Sequence, residues 1–134
     1  MATAILSNKF QGNFMVRQRL NGDSLVRSLI REGLFHKMNR VSPTTFNKLL
    51  TMLLHRLEVN KKQSSNASQG IQPILPEIIL HCTLHYCAGG SIHDIHVLAG
   101  LSQSSLYRAV LHGIDVIITC PGLSIKFPVT LAEL

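Results

Sequence analysis

The sequence predicts an all-α protein: a small helical bundle containing a helix-turn-helix, with a flexible N-terminal arm and an extended C-terminal tail. Three observations carry that prediction. Phe46, Leu49, Leu50, Leu53, Leu54 and Leu57 recur at i, i+3, i+4, i+7, i+8 and i+11, the spacing of one helix face. Ser42, Ser91 and Ser102 each stand just ahead of a helical pattern, where a hydroxyl can accept from first-turn amides that lack a partner in the helix. Gly100 separates two short amphipathic runs, the place where a tight helix-to-helix corner needs a positive φ.

The bulk composition is consistent with one domain, or one domain plus an arm. A chain of 134 residues with 46% apolar side chains can bury a core, and 5% aromatics with no Trp make that core aliphatic. No run of about 18 apolar residues occurs, so no membrane span is expected. Cys82, Cys87 and Cys120 are an odd number without a secretory leader, which fits a reducing compartment better than a disulfide framework. Net charge is +6, unevenly placed. Residues 1–62 carry eleven Lys/Arg against three acids, a net of +8, whereas residues 63–134 carry two against four, a net of −2. A basic front half invites a polyanion, because Lys and Arg displace counterions from nucleic acid phosphates.

The elements follow in order. Residues 1–22 lack acids, carry Lys9, Arg17 and Arg19, and keep no steady period; they suit a basic flexible arm better than an organelle transit peptide. Two helices are expected within 23–59. In "DSLVRSLIREGLF", Asp23 or Ser24 caps, Val26, Leu29 and Ile30 form the stripe, and Gly33 ends the helix. The second begins at the Ser42 cap with Pro43 in the first helical position, where its missing N–H costs nothing. Its apolar stripe, Phe46 to Leu57, faces away from Lys48, His55 and Arg56. Residues 60–73 are polar and unpatterned and read as a loop.

Residues 74–118 are expected to be helical and to hold the helix-turn-helix. Leu80, Cys82, Leu84 and Tyr86 alternate with His81, Thr83 and His85, a strand signal. Pro76 and Glu77 suit a first helical turn, Gly89 suits the residue past a helix end, and a lone strand would have no partner; helix is preferred. Ser91 and Asp94 form the S-x-x-D pattern of a capping box opening a short helix that ends near Ala99. After Gly100, Ser102 caps a longer helix, with Leu101 and Leu106 placed as a hydrophobic staple. Leu106, Val110, Gly113 and Ile117 line one side, leaving Ser104, Tyr107, Arg108 and Asp115 turned away. Residues 119–134, with Pro121, Gly122 and Pro128, read as an extended connection.

In a DNA-binding helix-turn-helix, the first residues of the second helix reach base edges. Gln103 is suited to adenine and Arg108 to guanine, while Ser102, Ser104, Ser105 and Tyr107 can supply phosphate or thymine contacts. Arg108 is that helix's only permanent positive charge, so phosphate neutralisation falls to Lys48, Arg56, Lys61, Lys62 and the arm. Double-stranded DNA is therefore the expected partner. The alternative is a protein-interaction module in which the Phe46–Leu57 stripe forms a homodimer or docks a partner protein.

Catalytic and metal readings have weaker footing. His81, Cys82, His85, Cys87, His93 and His96 lie close in sequence, but there is no C-x-x-C, and H-x-x-x-H lacks the metalloprotease glutamate. Seven scattered acids do not form the carboxylate cluster of a two-metal nuclease, and no phosphate loop or serine elbow occurs. No cofactor or metal is expected, and the chain is not expected to be an enzyme.

Taken together, "FHKMNRVSPTTFNKLL", "LHYCAGGSIHDIHVLAGLSQSSLYRAVLHGIDVI" and "IKFPVT" resemble the amino-terminal part of Harbinger-type transposases and proteins domesticated from them. The matching positions are Phe35, Met38, Ser42 and Phe46, then Gly89 and Gly90, Asp94 and Ile95, Gly100 to Ser102, and Tyr107 and Arg108. The likeness runs from about Leu34 to Thr130. It implies a nuclear helix-turn-helix module for transposon-end DNA, in a family whose members often pair with a separate DNA-binding partner. It also implies a following RNase H-like nuclease domain with three metal-binding acids, beginning about where this sequence reaches Leu134. No catalytic acid of that family carries over to a position here, so DNA binding without cleavage is expected.

Overall fold

A computed structural model describes residues 22–58 and 73–125. The expectations for the arm before Gly22, the 60–73 loop with Lys61 and Lys62, and the tail beyond Ile125 lie outside the described residues, except that Pro73 is described. Among the described residues the fold is all-α, with six α-helices and no strand. These are α1 (Gly22–Arg31), α2 (Phe35–Asn39), α3 (Pro43–Leu57), α4 (Pro76–Cys87), α5 (Ile92–Ala99) and α6 (Gln103–Thr119).

The capping chemistry acts where the sequence places it. Ser42 Oγ accepts from the Thr45 amide at 3.2 Å with Pro43 in the first turn of α3. Ser102 Oγ accepts from the Ser105 amide at 3.2 Å at the start of α6. At α5 only half of the expected box is present. Ser91 Oγ accepts from the His93 amide at 3.2 Å, and no bond returns from Asp94 to Ser91 among the described residues. Helix α1 starts at Gly22, a residue or two earlier than its expected cap, and Asp23 lies in its first turn. Its stripe is also turned: Leu29 is buried and Leu25 and Val26 pack on the core, but Ile30 is exposed.

The ambiguous segment is helical, and α4 is the central element. It packs on α6 most extensively and also on α3, α5 and α2. Six successive residues, Ile78 to Thr83, are buried. Contact on several sides explains why its sequence shows no one-faced helical stripe: a helix surrounded by others has no reason to keep a polar face. Its residues divide between two core clusters. Ile79 and Leu80 join Leu29, Phe35, Phe46, Leu53, Leu57, Ala109, Val116 and Cys120. Ile78 and Cys82 join Ile95, Ala99, Leu101, Leu106 and Val110.

The stripe of α3 is spent inside the first cluster. Phe46, Leu53 and Leu57 are fully buried, and Phe46 meets the Phe35 ring edge-on at 5.3 Å between centroids. Leu49 and Leu50 pack partly buried beside them. The Phe46–Leu57 stripe is therefore not available as a docking surface, because α4 and α6 already cover it. Beyond α6 the chain does not run straight into an extended tail: Pro121–Leu123 form one turn of 3₁₀ helix, closed by Leu123 N donating to Cys120 O at 3.0 Å. Burial of Cys120 and packing of Leu123 on the core hold that turn down.

Candidate nucleic-acid interface

The corner between α5 and α6 is built by three local features. Gly100 has φ +65°, and its amide donates back toward Val97 O at 3.2 Å, closing α5 in the left-handed conformation that glycine adopts without a Cβ clash. Leu101 and Leu106 are both buried in the second core cluster, as a staple requires. The Gln103 amide nitrogen donates to His93 Nδ1 at 2.8 Å, and His96 Nδ1 lies 3.2 Å from Leu101 O, tying the two helices together across the turn. A short helix, a left-handed glycine and a capped 17-residue helix follow one another in the order expected of a helix-turn-helix.

Helix α6 buries Leu106, Ala109, Val110, Gly113 and Val116. Ser104, Tyr107, Arg108 and Asp115 are all exposed on the opposite side, as the pattern predicts. Gln103 is exposed too, although its side chain is engaged by His93. The serines divide by role. Ser102 is occupied as the cap, with its hydroxyl also bonded to Ser104 and Ser105 at 3.2 and 2.9 Å. Ser105 is half-buried. Both hydroxyls serve the helix end, while Gln103, Ser104, Tyr107 and Arg108 make the exposed set that follows the cap.

Arg56 is engaged at the other end of α6. Arg56 Nη1 donates to Thr119 O at 3.0 Å and lies 3.4 Å from Thr119 Oγ1, satisfying one carbonyl at the carboxyl end of α6. That end is about 25 Å from Ser102 for a helix of this length. Arg56 thus sits at the negative end of the α6 dipole. Lys48 lies on the outer face of α3, where with Thr44, Asn47, Thr51 and Met52 it lines a shallow open depression.

The histidines and cysteines do not gather. Among the described residues, no three His, Cys, Asp or Glu side chains are placed to hold a metal ion. The His81 and His85 rings lie 5.7 Å apart between centroids, tilted by 49°, with His81 buried and His85 half-buried. Burial, with His85 adding to it, pushes the His81 imidazole down to about 4, and it also lowers His85, where the Asp94 carboxylate pulls the other way. Burial pushes the Cys82 thiol up to about 12, so it stays protonated and is a poor nucleophile. All three cysteines are free. No helix among the described residues is long and apolar enough to cross a membrane.

Sequence reasoning missed one feature of this surface. Leu111 and Ile118 stand in solvent beside Tyr107, on the face expected to be polar. The signal was the spacing of Tyr107, Leu111, Ile114 and Ile118, a second apolar line on a helix that already had one. No family model, curated protein or solved structure matches the chain.

Proposed function

We propose that the chain is a DNA-binding module related to Harbinger-type transposases, in which α6 enters the major groove of double-stranded DNA and α5 crosses the backbone. One observation carries this reading: Gln103, Ser104, Tyr107 and Arg108 all stand in solvent at the capped amino-terminal end of α6, directly after the Gly100 corner. That end is also the positive end of the helix dipole and carries unpaired amides, both favourable next to phosphate. Arg108 pairs bidentately with guanine and Gln103, released from His93, with adenine. The basic front half, Lys48 included, supplies phosphate neutralisation, and the Harbinger-type resemblance implies a nuclear location. The chain binds without cutting, since no acid here matches the resembled family's catalytic positions.

An electrophoretic shift titration across salt tests the reading. Binding of the monomer should be weak, on the order of micromolar, with log K falling linearly as log salt rises. Arg108→Ala should weaken binding by about 1–3 kcal/mol and relax the preference for guanine at one position. An affinity indifferent to ionic strength, or one unchanged by Arg108→Ala, would overturn the proposal.

A further inference from the structure

The solvent side of α6 carries an apolar line among its polar residues. Tyr107, Leu111 and Ile118 are 51%, 64% and 72% exposed, and half-buried Ile114 lies between them. Steps of four, three and four keep the four residues in one line, the d, a, d, a positions of a heptad. The inward face of the same helix is buried against the body. A helix apolar on both sides is ordinarily covered on both sides. Two charges border the outer line. Arg108 and Asp115 each follow a d position, so both fall on the same flank, two turns apart. Both are exposed, and neither has an ion-pair partner among the described residues.

We infer that this face binds a second copy of the chain, α6 against α6, antiparallel about a two-fold axis. The charges select that occupant. Reversing one helix about a two-fold places Tyr107 of each copy on Ile118 of the other, and Leu111 on Ile114. The same operation brings Arg108 of each copy beside Asp115 of the other, so the flank is complementary to itself. In a parallel pair, e positions face g positions instead, and these are Gln103 and buried Val110, leaving both charges unmatched. A polyanion or a basic segment would want one sign along the flank; this one carries one of each. A single helix pair buries less than the standard interface area, so association is weak, with Kd on the order of 100 µM. Pairing covers Tyr107 and Arg108, so a paired copy is withheld from DNA. The inference itself rests on exposure, spacing and charge, and stands without the DNA reading.

Sedimentation velocity of the full chain from about 10 µM to about 1 mM is the test. The sedimentation coefficient should climb with concentration for the wild type and stay monomeric for Ile118→Glu, a change at a solvent-facing site that leaves the fold intact by circular dichroism. Arg108→Asp and Asp115→Arg should each weaken self-association about tenfold, since both pairs become like-charged. An equimolar mixture of the two variants should regain it, because every pair in the mixed dimer then joins opposite charges. A wild type monomeric throughout overturns the inference, as does an unaffected Ile118→Glu or a mixture no better than its parts. The electrophoretic shift reads separately. A wild type that associates but does not shift DNA upholds this inference and overturns the proposed function; a strict monomer that shifts DNA does the reverse.

Discussion

Gly113 sits mid-way along α6, where alanine is ordinarily the better helix former by about 1 kcal/mol. In this fold a Cβ there would run into Thr83 of α4, colliding with Oγ1 and lying 3.0 and 3.1 Å from Cβ and Cγ2. Thr83 has little freedom to yield. It is fully buried, its Oγ1 donates to Ile79 O at 2.7 Å, and its branched Cβ makes χ1 stiff. Relief comes only by parting α4 from α6, the most extensive contact in the protein, or by turning Thr83 and losing its hydrogen bond. Overpacking costs about 1–3 kcal/mol and a lost buried hydrogen bond about 0.5–1.5 kcal/mol. Set against the gain in helix propensity, Gly113→Ala should destabilise by about 2 kcal/mol, a fall in Tm of about 6–10 °C at this chain length. Denaturation followed by circular dichroism measures it. Thr83→Ala removes the obstructing hydroxyl, so the double variant should recover much of the loss, with a coupling of at least about 1 kcal/mol. A raised midpoint for Gly113→Ala, or two changes that merely add, would show that close approach of Thr83 is not what demands glycine.

Two further outcomes follow from the core. The His81 imidazole, pushed down to about 4, stays neutral in the fold at pH values where an unfolded-chain histidine, near 6.5, takes up a proton. Stability is therefore full above about pH 6.5 and declines as pH falls toward 4, by on the order of 3 kcal/mol; His81→Asn should remove most of that slope in urea titrations run across the range, and an unaltered slope would refute the assignment. Phe46→Ala empties a fully buried site and removes the edge-on partner of Phe35, which should cost about 3–5 kcal/mol in equilibrium denaturation; a loss below about 1 kcal/mol would mean the stripe of α3 is not core.

Local chemistry was legible in the sequence wherever one residue acts on its own neighbours. Ser42 with Pro43, Ser91 and Ser102 start α3, α5 and α6, and Gly100 makes the corner, because caps and left-handed turns depend on atoms within a few residues. The α3 stripe was legible for the same reason: one clean apolar face has one place to go. Legibility failed where partners are distant. The alternating pattern of α4 imitates a strand because four other helices cover it and no face needs to be polar. Arg56 looked free for phosphate because Thr119, which engages it, lies 63 residues away.

Helix α6 marks the boundary between the two kinds of information. From the sequence alone came its existence, its cap at Ser102 and the outward placement of Ser104, Tyr107 and Arg108, since all of these are set within its own turns. Its apolar residues, however, run round both sides, and the inward line of Leu106, Val110 and Gly113 read from the sequence left the second line through Leu111 and Ile118 unnoticed. The surface that the inward line meets was decided by packing. Gly113, having no Cβ, is where α6 lies against Thr83 of α4, and that close approach turns Leu106, Val110 and Val116 into the core while leaving Leu111 and Ile118 in solvent. Burial energy depends on which surfaces meet, and only the folded chain brings those surfaces together.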